Sequence, residues 1–372
     1  MAAQLKHPVL APASSGTRLI RWLFHLHRWA GLIGGIPLAM ILVSGVIVVF
    51  KDEIDEFFNP QLLVVSPAAS RLPLDQALAP VLPAQQILLP DSPTRPYLVF
   101  RRSAAGPSEQ VAVDPYRGTV LGSRPPNGHL ADVLRQIHLR FYYFGATGRI
   151  IVGVFGLLLA FSGITGLILY PRFMRGAQRW YAVRWGRGTQ WVNSDLHKLT
   201  GITTLLINLL WAISGAVLGL ENLAAYYRPA QQILHPQPTV NASRGPLSVP
   251  ISALLRTSQK VIAGFTPRRI SFPVKPGQPV TVYGNTGGPW TAPTSSWVAL
   301  DPQTGNALQI HDERRALLAT RAYNLLDPLH FGYFGGLPTR WIWLLIGIPV
   351  SLLPITGYVI WWKKRFRTRS AS

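Results

Sequence analysis

The sequence predicts a membrane α-helical protein with α+β domains outside the bilayer, arranged as four transmembrane helices in two parallel repeats of helix, outer domain, helix. Three observations carry that expectation: four long apolar runs, blocks of basic residues beside them, and constant offsets at which the first half of the chain matches the second. Composition agrees, because 48% of the 372 residues are apolar and only 14% are charged, a membrane balance and not that of one soluble domain.

The apolar runs are Trp29–Phe50, Ile150–Tyr170, Leu199–Leu220 and Trp341–Trp362, each near the roughly 20 residues a helix needs to cross a bilayer. The first is too long for a signal-peptide core. It is followed by Lys51-Asp52-Glu53-Ile54-Asp55-Glu56 instead of a small-residue cleavage site, so it reads as an uncleaved anchor. Lysine and arginine outnumber aspartate and glutamate by 36 to 15, for a net charge of +21. One basic patch would suggest nucleic acid. Here much of the excess lies in three blocks: the N-terminal arm through Arg28, the stretch Arg172–Arg187 and the tail Lys363–Arg369. That is the positive-inside pattern; it predicts a multi-pass protein of the bacterial inner membrane with both termini in the cytoplasm, and no nucleic-acid partner. Trp22, Trp29, Trp180, Trp185, Trp341, Trp361 and Trp362 flank the runs, as amphipathic rings do at headgroup depth.

The chain then divides into a cytoplasmic arm and first helix (1–51), a first periplasmic domain (52–137), an interfacial segment and second helix (138–171), a basic loop (172–195), a third helix (196–220), a second periplasmic domain (221–329), and an interfacial segment, fourth helix and basic tail (330–372). With no cysteine, disulfides, zinc–thiolate sites, iron–sulfur clusters and covalent haem attachment are excluded together. The three methionines, Met1, Met40 and Met174, leave histidine as the plausible metal ligand.

The first and third runs align at an offset of 170: His27-Arg28 and His197-Lys198 are followed by Gly31 and Gly201, then by Ser-Gly at 44–45 and 214–215. The second and fourth align at an offset of 191, with Arg149, Gly156 and Thr165-Gly166 matching Arg340, Gly347 and Thr356-Gly357. In the outer segments, Val111-Ala-Val-Asp-Pro-Tyr-Arg-Gly118 answers Val298-Ala-Leu-Asp-Pro-Gln-Thr-Gly305, a strand entering a tight turn.

His27 and His197 open the odd-numbered runs on the cytoplasmic side; His138 and His330 precede the even-numbered runs on the periplasmic side. Two pairs at opposite faces suit two haems with paired axial histidines, although a single histidine at a span end is as readily an interfacial polar residue. Gly31 and Gly201, one turn beyond their histidines, leave room for a porphyrin edge. Arg28 and Lys198 inside, and Arg149 and Arg340 outside, are placed to meet haem propionates or to snorkel. His25 is an alternative inner ligand, although it points to a different helix face from His27, and His7, His129, His235 and His311 sit in polar stretches where solvated or structural roles are expected. The Ser-Gly and Thr-Gly pairs read as small-residue helix packing. A continuous helix from His138 to Pro171 would exceed the ~30 Å hydrocarbon core, so breaks are expected at Gly145 and Gly148, and at Gly335, Gly336 and Pro338.

His27-Arg-Trp-Ala-Gly31, Leu196-His197-Lys-Leu-Thr-Gly201, the Val-Asp-Pro-Tyr-x-Gly turn, Leu329-His330-Phe-Gly and Thr356-Gly-Tyr-Val-Ile-Trp-Trp together resemble the PepSY-associated transmembrane family, over nearly the whole chain. Within it the architecture is similar to the FoxB-like siderophore reductases of the Gram-negative inner membrane. That resemblance implies PepSY-like outer domains, two haem b groups, His27, His138, His197 and His330 as metal ligands, and reduction of a ferric siderophore in the periplasm.

No catalytic triad, metalloprotease motif, phosphate loop or dinucleotide fingerprint occurs, so an electron donor would be a separate cytoplasmic reductase or a membrane quinol. Two other readings stay open: a haem-free siderophore- or protein-binding component of an uptake system, and a haem subunit passing electrons to a partner. Trp290, Trp297, Arg268, Arg269 and Arg321 form either a substrate surface or the ordinary surface of a β-rich domain.

Overall fold

The structure, a computed structural model, describes residues 15–102, 106–142, 144–173, 181–224, 232–234, 236–288 and 290–367. His7, His235, Trp180 and part of each basic block lie outside them. Three helical stretches are long and apolar enough to cross a membrane: Arg18–Val48, Gly145–Pro171 and Leu337–Lys363, with mean hydropathy of 2.3, 2.3 and 1.9. They belong to α1 (Ser15–Val48), α6 (Gly145–Phe173) and the consecutive helices α11 (Leu337–Ser351) and α12 (Leu353–Arg367).

The remaining expected span is broken. Helices α7 (Thr189–Thr203) and α8 (Leu205–Ala224) meet at Thr204 with a bend of 71°, and pass as one span only when taken together. At the bend the Thr203 hydroxyl donates to Leu199 O at 2.8 Å and the Thr204 hydroxyl to Thr200 O at 2.7 Å, side-chain bonds to the preceding turn that favour bending.

Outside the apolar helices, the two long polar segments join in one eight-stranded antiparallel sheet. Its strands are β1 (Gln86–Leu88), β2 (Tyr97–Arg102), β3 (Ser108–Val113), β4 (Val120–Arg124), β5 (Thr266–Ser271), β6 (Val280–Asn285), β7 (Ser296–Leu300) and β8 (Ala307–His311). The order is β4-β3-β2-β1-β5-β6-β7-β8, two four-stranded meanders joined edge to edge where Gln86–Leu88 pairs with Arg269–Ser271. Pairing the two inner edges removes a pair of unsatisfied strand faces. The two expected outer domains therefore share one core instead of folding separately. Ile87, Val99, Val111 and Val113 from one half and Ile270, Val280, Val282, Val298 and Leu300 from the other are buried in a single cluster.

Two helices cover that face, α4 (Leu74–Leu78) and α9 (Ile251–Val261), and the halves are stitched again there. The Asp75 carboxylate of α4 accepts the Ile251 N–H at 2.6 Å, satisfying an otherwise orphaned donor at the start of α9. The other face of the first meander is covered by α3 (Pro60–Leu63), whose Leu62 and Leu63 pack on Ala112, Leu98 and Leu121. Helix α2 (Lys51–Phe58) precedes it, and its Asp55 holds Arg124 of β4 at 2.6 Å.

The duplicated Asp-Pro turns are as expected. Asp114 accepts Tyr116 N–H at 2.7 Å and Asp301 accepts Gln303 N–H at 2.9 Å, while Gly118 and Gly305 close the loops at φ of 68° and 71°, a region a side chain rarely adopts. Backbone and side-chain donors around Asp301 hold its carboxyl well below the usual range.

Breaks before the even-numbered spans also exist. Helix α5 (Leu130–Arg140) stops at Phe141 and Tyr142, with φ of 50° and 66°, before α6 starts at Gly145. Helix α10 (Leu318–Phe331) stops at Gly332, and α11 starts after Gly336. Gly148 and Pro338, expected at breaks, lie instead inside the first turns of α6 and α11. Contacts divide the chain into two compact units. One comprises the chain up to Met40, Phe155–Ile213 and Ile348 onward; the other comprises Ile41–Val154 and Ser214–Gly347 and contains the sheet.

Because the core is shared, Ile270→Ala should destabilise both meanders together. We expect a loss of about 2–5 kcal/mol and one common unfolding transition, read by hydrogen exchange at β2 and β6; independent protection of the two strands would refute the shared core.

Candidate functional site

Four buried or half-buried imidazoles form two pairs, one within each compact unit. In the first unit His27 of α1 faces His197 of α7, with ring centres 6.5 Å apart. The His27 Nδ1 lies 2.9 Å from Thr165 Oγ1, and that hydroxyl donates to Phe161 O at 2.8 Å. A hydroxyl has one proton, so Thr165 accepts from His27 Nδ1–H. His197 repeats the arrangement: its Nδ1 is 2.8 Å from Thr356 Oγ1, which donates to Leu352 O at 3.0 Å. Both rings are thereby fixed with Nδ1 protonated and the Nε2 lone pair free.

In the second unit His138 of α5 faces His330 of α10 with ring centres 6.2 Å apart. His138 Nδ1 is 2.8 Å from Ile41 O. A carbonyl can only accept, so this ring too carries its proton on Nδ1. His330 Nδ1 is 2.7 Å from Ser214 Oγ. Burial pushes both His138 and His330 below the ordinary imidazole value, so both are neutral at pH 7 and keep a lone pair for a ligand.

The Ser-Gly and Thr-Gly pairs therefore do more than pack helices. At each pair except Ser44-Gly45 the hydroxyl binds the ring; at that one, a carbonyl one turn earlier does so and Ser44 Oγ donates to the same oxygen at 3.1 Å. The glycine provides the space. A Cβ at Gly166 or Gly357 would lie 3.4 Å from Cε1 of His27 or His197; at Gly215 it would be 3.3 Å from His330 Cε1, and at Gly45 2.7 Å from His138 Cε1. The pairing is what sequence reasoning missed, and its signal was present in the repetition of hydroxyl-glycine at both offsets.

Two imidazoles bound through Nε2 to one iron are separated by two metal–nitrogen bonds of about 2.0–2.1 Å and by about 1.1 Å from each nitrogen to its ring centre, roughly 6.3 Å in all. The observed 6.5 and 6.2 Å bracket that value. A second-shell acceptor on the far nitrogen is also what ligating histidines have. Among the described residues no group of three or more His, Asp or Glu stands together as an ion site.

The neighbouring cations separate into two kinds. Arg28 Nε is buried without a hydrogen-bond partner among the described residues, as is Arg140 Nε, which sequence reasoning passed over although it follows His138 by two residues. Both are suited to an acidic edge such as a propionate. Lys198, Arg149 and Arg340, expected in the same role, are answered by the protein itself. Lys198 Nζ is 2.9 Å from Asp195, which also holds Arg184; Arg149 is 2.7 Å from Glu221; and Arg340 is 2.6 Å from Glu53. These contacts give the three residues a clamping role within the protein. Around Gly31 and Gly201 an added Cβ meets nothing within 4 Å, so space is open one turn beyond His27 and His197.

The other described histidines stand apart from the pairs. His25 packs edge-on to Phe24, His129 accepts the Asp132 N–H at the start of α5, and His311 stacks on Trp297.

Apolar helices carrying paired histidines, joined to an antiparallel sheet, define the class: a helical membrane protein with two-imidazole sites. The description of the PepSY-associated TM region matches residues 24–364, and the chain belongs to that family. It is 26% identical over 255 residues to an uncharacterized protein of Pseudomonas aeruginosa, a match covering 63% of this chain and 64% of that protein.

The hydrogen bonds dictate a tautomer. In cofactor-free protein labelled with 15N-histidine, His27 should show Nδ1 protonated and Nε2 bare, and Thr165→Val should let both tautomers appear; an Nε2–H signal in the unmodified protein would contradict the assignment.

Proposed function

We propose that this chain is a di-haem b protein of the bacterial inner membrane that passes electrons outward to reduce a ferric siderophore in the periplasm and so release its iron. The observation that carries the reading is the pair of two-imidazole sites, at a spacing that admits one iron between each pair of rings. Haem bound there would supply the one-electron carrier that the side chains lack. The reading puts one pair near each face of the membrane, following the charge asymmetry of the flanking residues.

The rest of the work falls to this chain's residues. Thr165, Thr356, Ser214 and the Ile41 carbonyl orient the rings and raise their basicity by accepting, or being placed to accept, the Nδ1 proton. Arg28 and Arg140 offer buried guanidinium nitrogen to acidic groups. The Arg149–Glu221 and Arg340–Glu53 clamps tie the starts of α6 and α11 to residues at the ends of α8 and α1 or just beyond them, which holds the segments that carry His138 and His330. The substrate chemistry asks little more: Fe(III) is a hard ion matched to oxygen chelators, and the same ligands hold Fe(II) less strongly. Electrons would come from a separate cytoplasmic reductase or a quinol. The FoxB-like resemblance supports the substrate class.

Full-length protein purified in mild detergent should contain about two b-type haems per chain by pyridine haemochrome. His138→Ala or His330→Ala should remove one, and His27→Ala or His197→Ala the other. Thr356→Val should weaken haem retention by roughly 10–100-fold. A colourless protein after haem-replete expression would overturn the reading and leave a siderophore- or protein-binding component in its place.

A further inference from the structure

The second face of the sheet, opposite the buried core, carries a continuous cross-strand row. In register it reads Gly122, Ala112, Leu98, Leu88, Arg269, Tyr283, Trp297, His311. The first half of the row is small or apolar, with Ala112 and Leu98 covered by α3. Further along, Trp297 is buried and donates its Nε1–H to Pro236 O at 2.9 Å, so that end is covered too. Between these covered ends sit Arg269 and Tyr283.

Arg269 is out of place there by the rules the rest of the protein follows. Arg95, Arg101, Arg124, Arg149 and Arg340 all end on carboxylates. Arg269 is half-buried, its Nε has no hydrogen-bond partner, and among the described residues no carboxylate pairs with it. Its guanidinium lies instead on the Tyr283 ring, 4.1 Å from the centroid. Stacking fixes the plane of the guanidinium against the ring. Gln86 and Ser271, opposite each other one step along the same face, add polar groups beside it. A half-buried cation whose Nε is unanswered and whose neighbour is a neutral phenol instead of a carboxylate is incompletely satisfied by the protein alone and suited to an anion that arrives from outside.

We infer that Arg269 and Tyr283 form a binding site for an anionic iron chelate, one presenting carboxylate or catecholate oxygens, with the guanidinium edge holding an oxygen and the tyrosine fixing the guanidinium. The inference rests on the reductase reading and narrows it: the substrate is an anionic chelate and not a neutral or cationic trihydroxamate.

The test separates this site from the haem reading by using a redox-inert probe. Calorimetric titration of full-length protein in detergent with gallium(III) citrate should show saturable binding whether or not haem is present. Arg269→Gln should weaken that binding about tenfold or more, Arg269→Lys should restore part of it, and Tyr283→Leu, which keeps the charge, should weaken it less. A gallium trihydroxamate should bind weakly and respond to none of these changes. Retention of the haem spectrum and of the thermal transition certifies each variant; where Arg269→Gln fails that check, Tyr283→Leu carries the test. Citrate binding unchanged in the folded variants, or trihydroxamate binding that falls with them, would overturn the site and leave Arg269–Tyr283 as a cross-strand stacking pair. A colourless protein that still binds gallium citrate through Arg269 would sink the reductase reading and keep the site.

Discussion

An imidazole buried among apolar helices has to place two nitrogens, and much of this architecture follows from how one of them is satisfied. Each Nδ1 meets an oxygen that belongs to a neighbouring helix: a threonine hydroxyl, a serine hydroxyl or a helical carbonyl. The helices approach closely enough that a glycine stands beside every ring, and at Gly45 an added Cβ would fall 2.7 Å from His138 Cε1. The helix-packing residues and the ring-holding residues are therefore the same residues. Loss of a hydroxyl would leave a polar nitrogen in an apolar setting at the cost of an unmade hydrogen bond, and would free the ring to turn. The Nε2 of each ring is the remainder of this arithmetic, and its direction is set before any ligand is considered.

How much of this could be read from the chain alone differs by element. The apolar runs and their terminal histidines were legible because hydropathy and spacing report burial directly, and three of the four runs are helices long and apolar enough to span. The Asp-Pro turns were legible because their hydrogen bonds are local. The break at Thr204 was not, because hydropathy averages over it. The clamps were hidden for a similar reason. Arg149 and Arg340 look unpaired in sequence because Glu221 and Glu53 lie 72 and 287 residues away. Fusion of the outer segments was invisible because edge pairing between β1 and β5 depends on which strand ends remain free, not on any pattern within either strand.

Charge is distributed by a consistent rule. Cations near the helix ends are paired with carboxylates wherever the structure needs a fixed geometry, as in the Asp195 cluster, where Arg184 and Lys198 share one acid. Cations left with an unpartnered nitrogen occur beside a histidine, as with Arg28 and Arg140, or on the second face of the sheet, as with Arg269. A protein with 36 basic and 15 acidic residues cannot pair them all, so the pattern of which buried nitrogens go unanswered carries more information than their number.

The junction between β1 and β5 has a further implication. Two four-stranded meanders meeting through antiparallel inner edges have the geometry of an isologous contact, in which the same strand of each copy meets itself across a two-fold axis. A single half-length ancestor, with one span-associated histidine for each site, would have left every two-ring site half made. Pairing with a second copy would have completed both sites and closed the sheet edge in one event. Fusion into one chain would then have freed the two copies of each strand to differ: by the correspondence of Val111 with Val298, Gln86 and Phe100 stand in the first meander where the second has Arg269 and Tyr283.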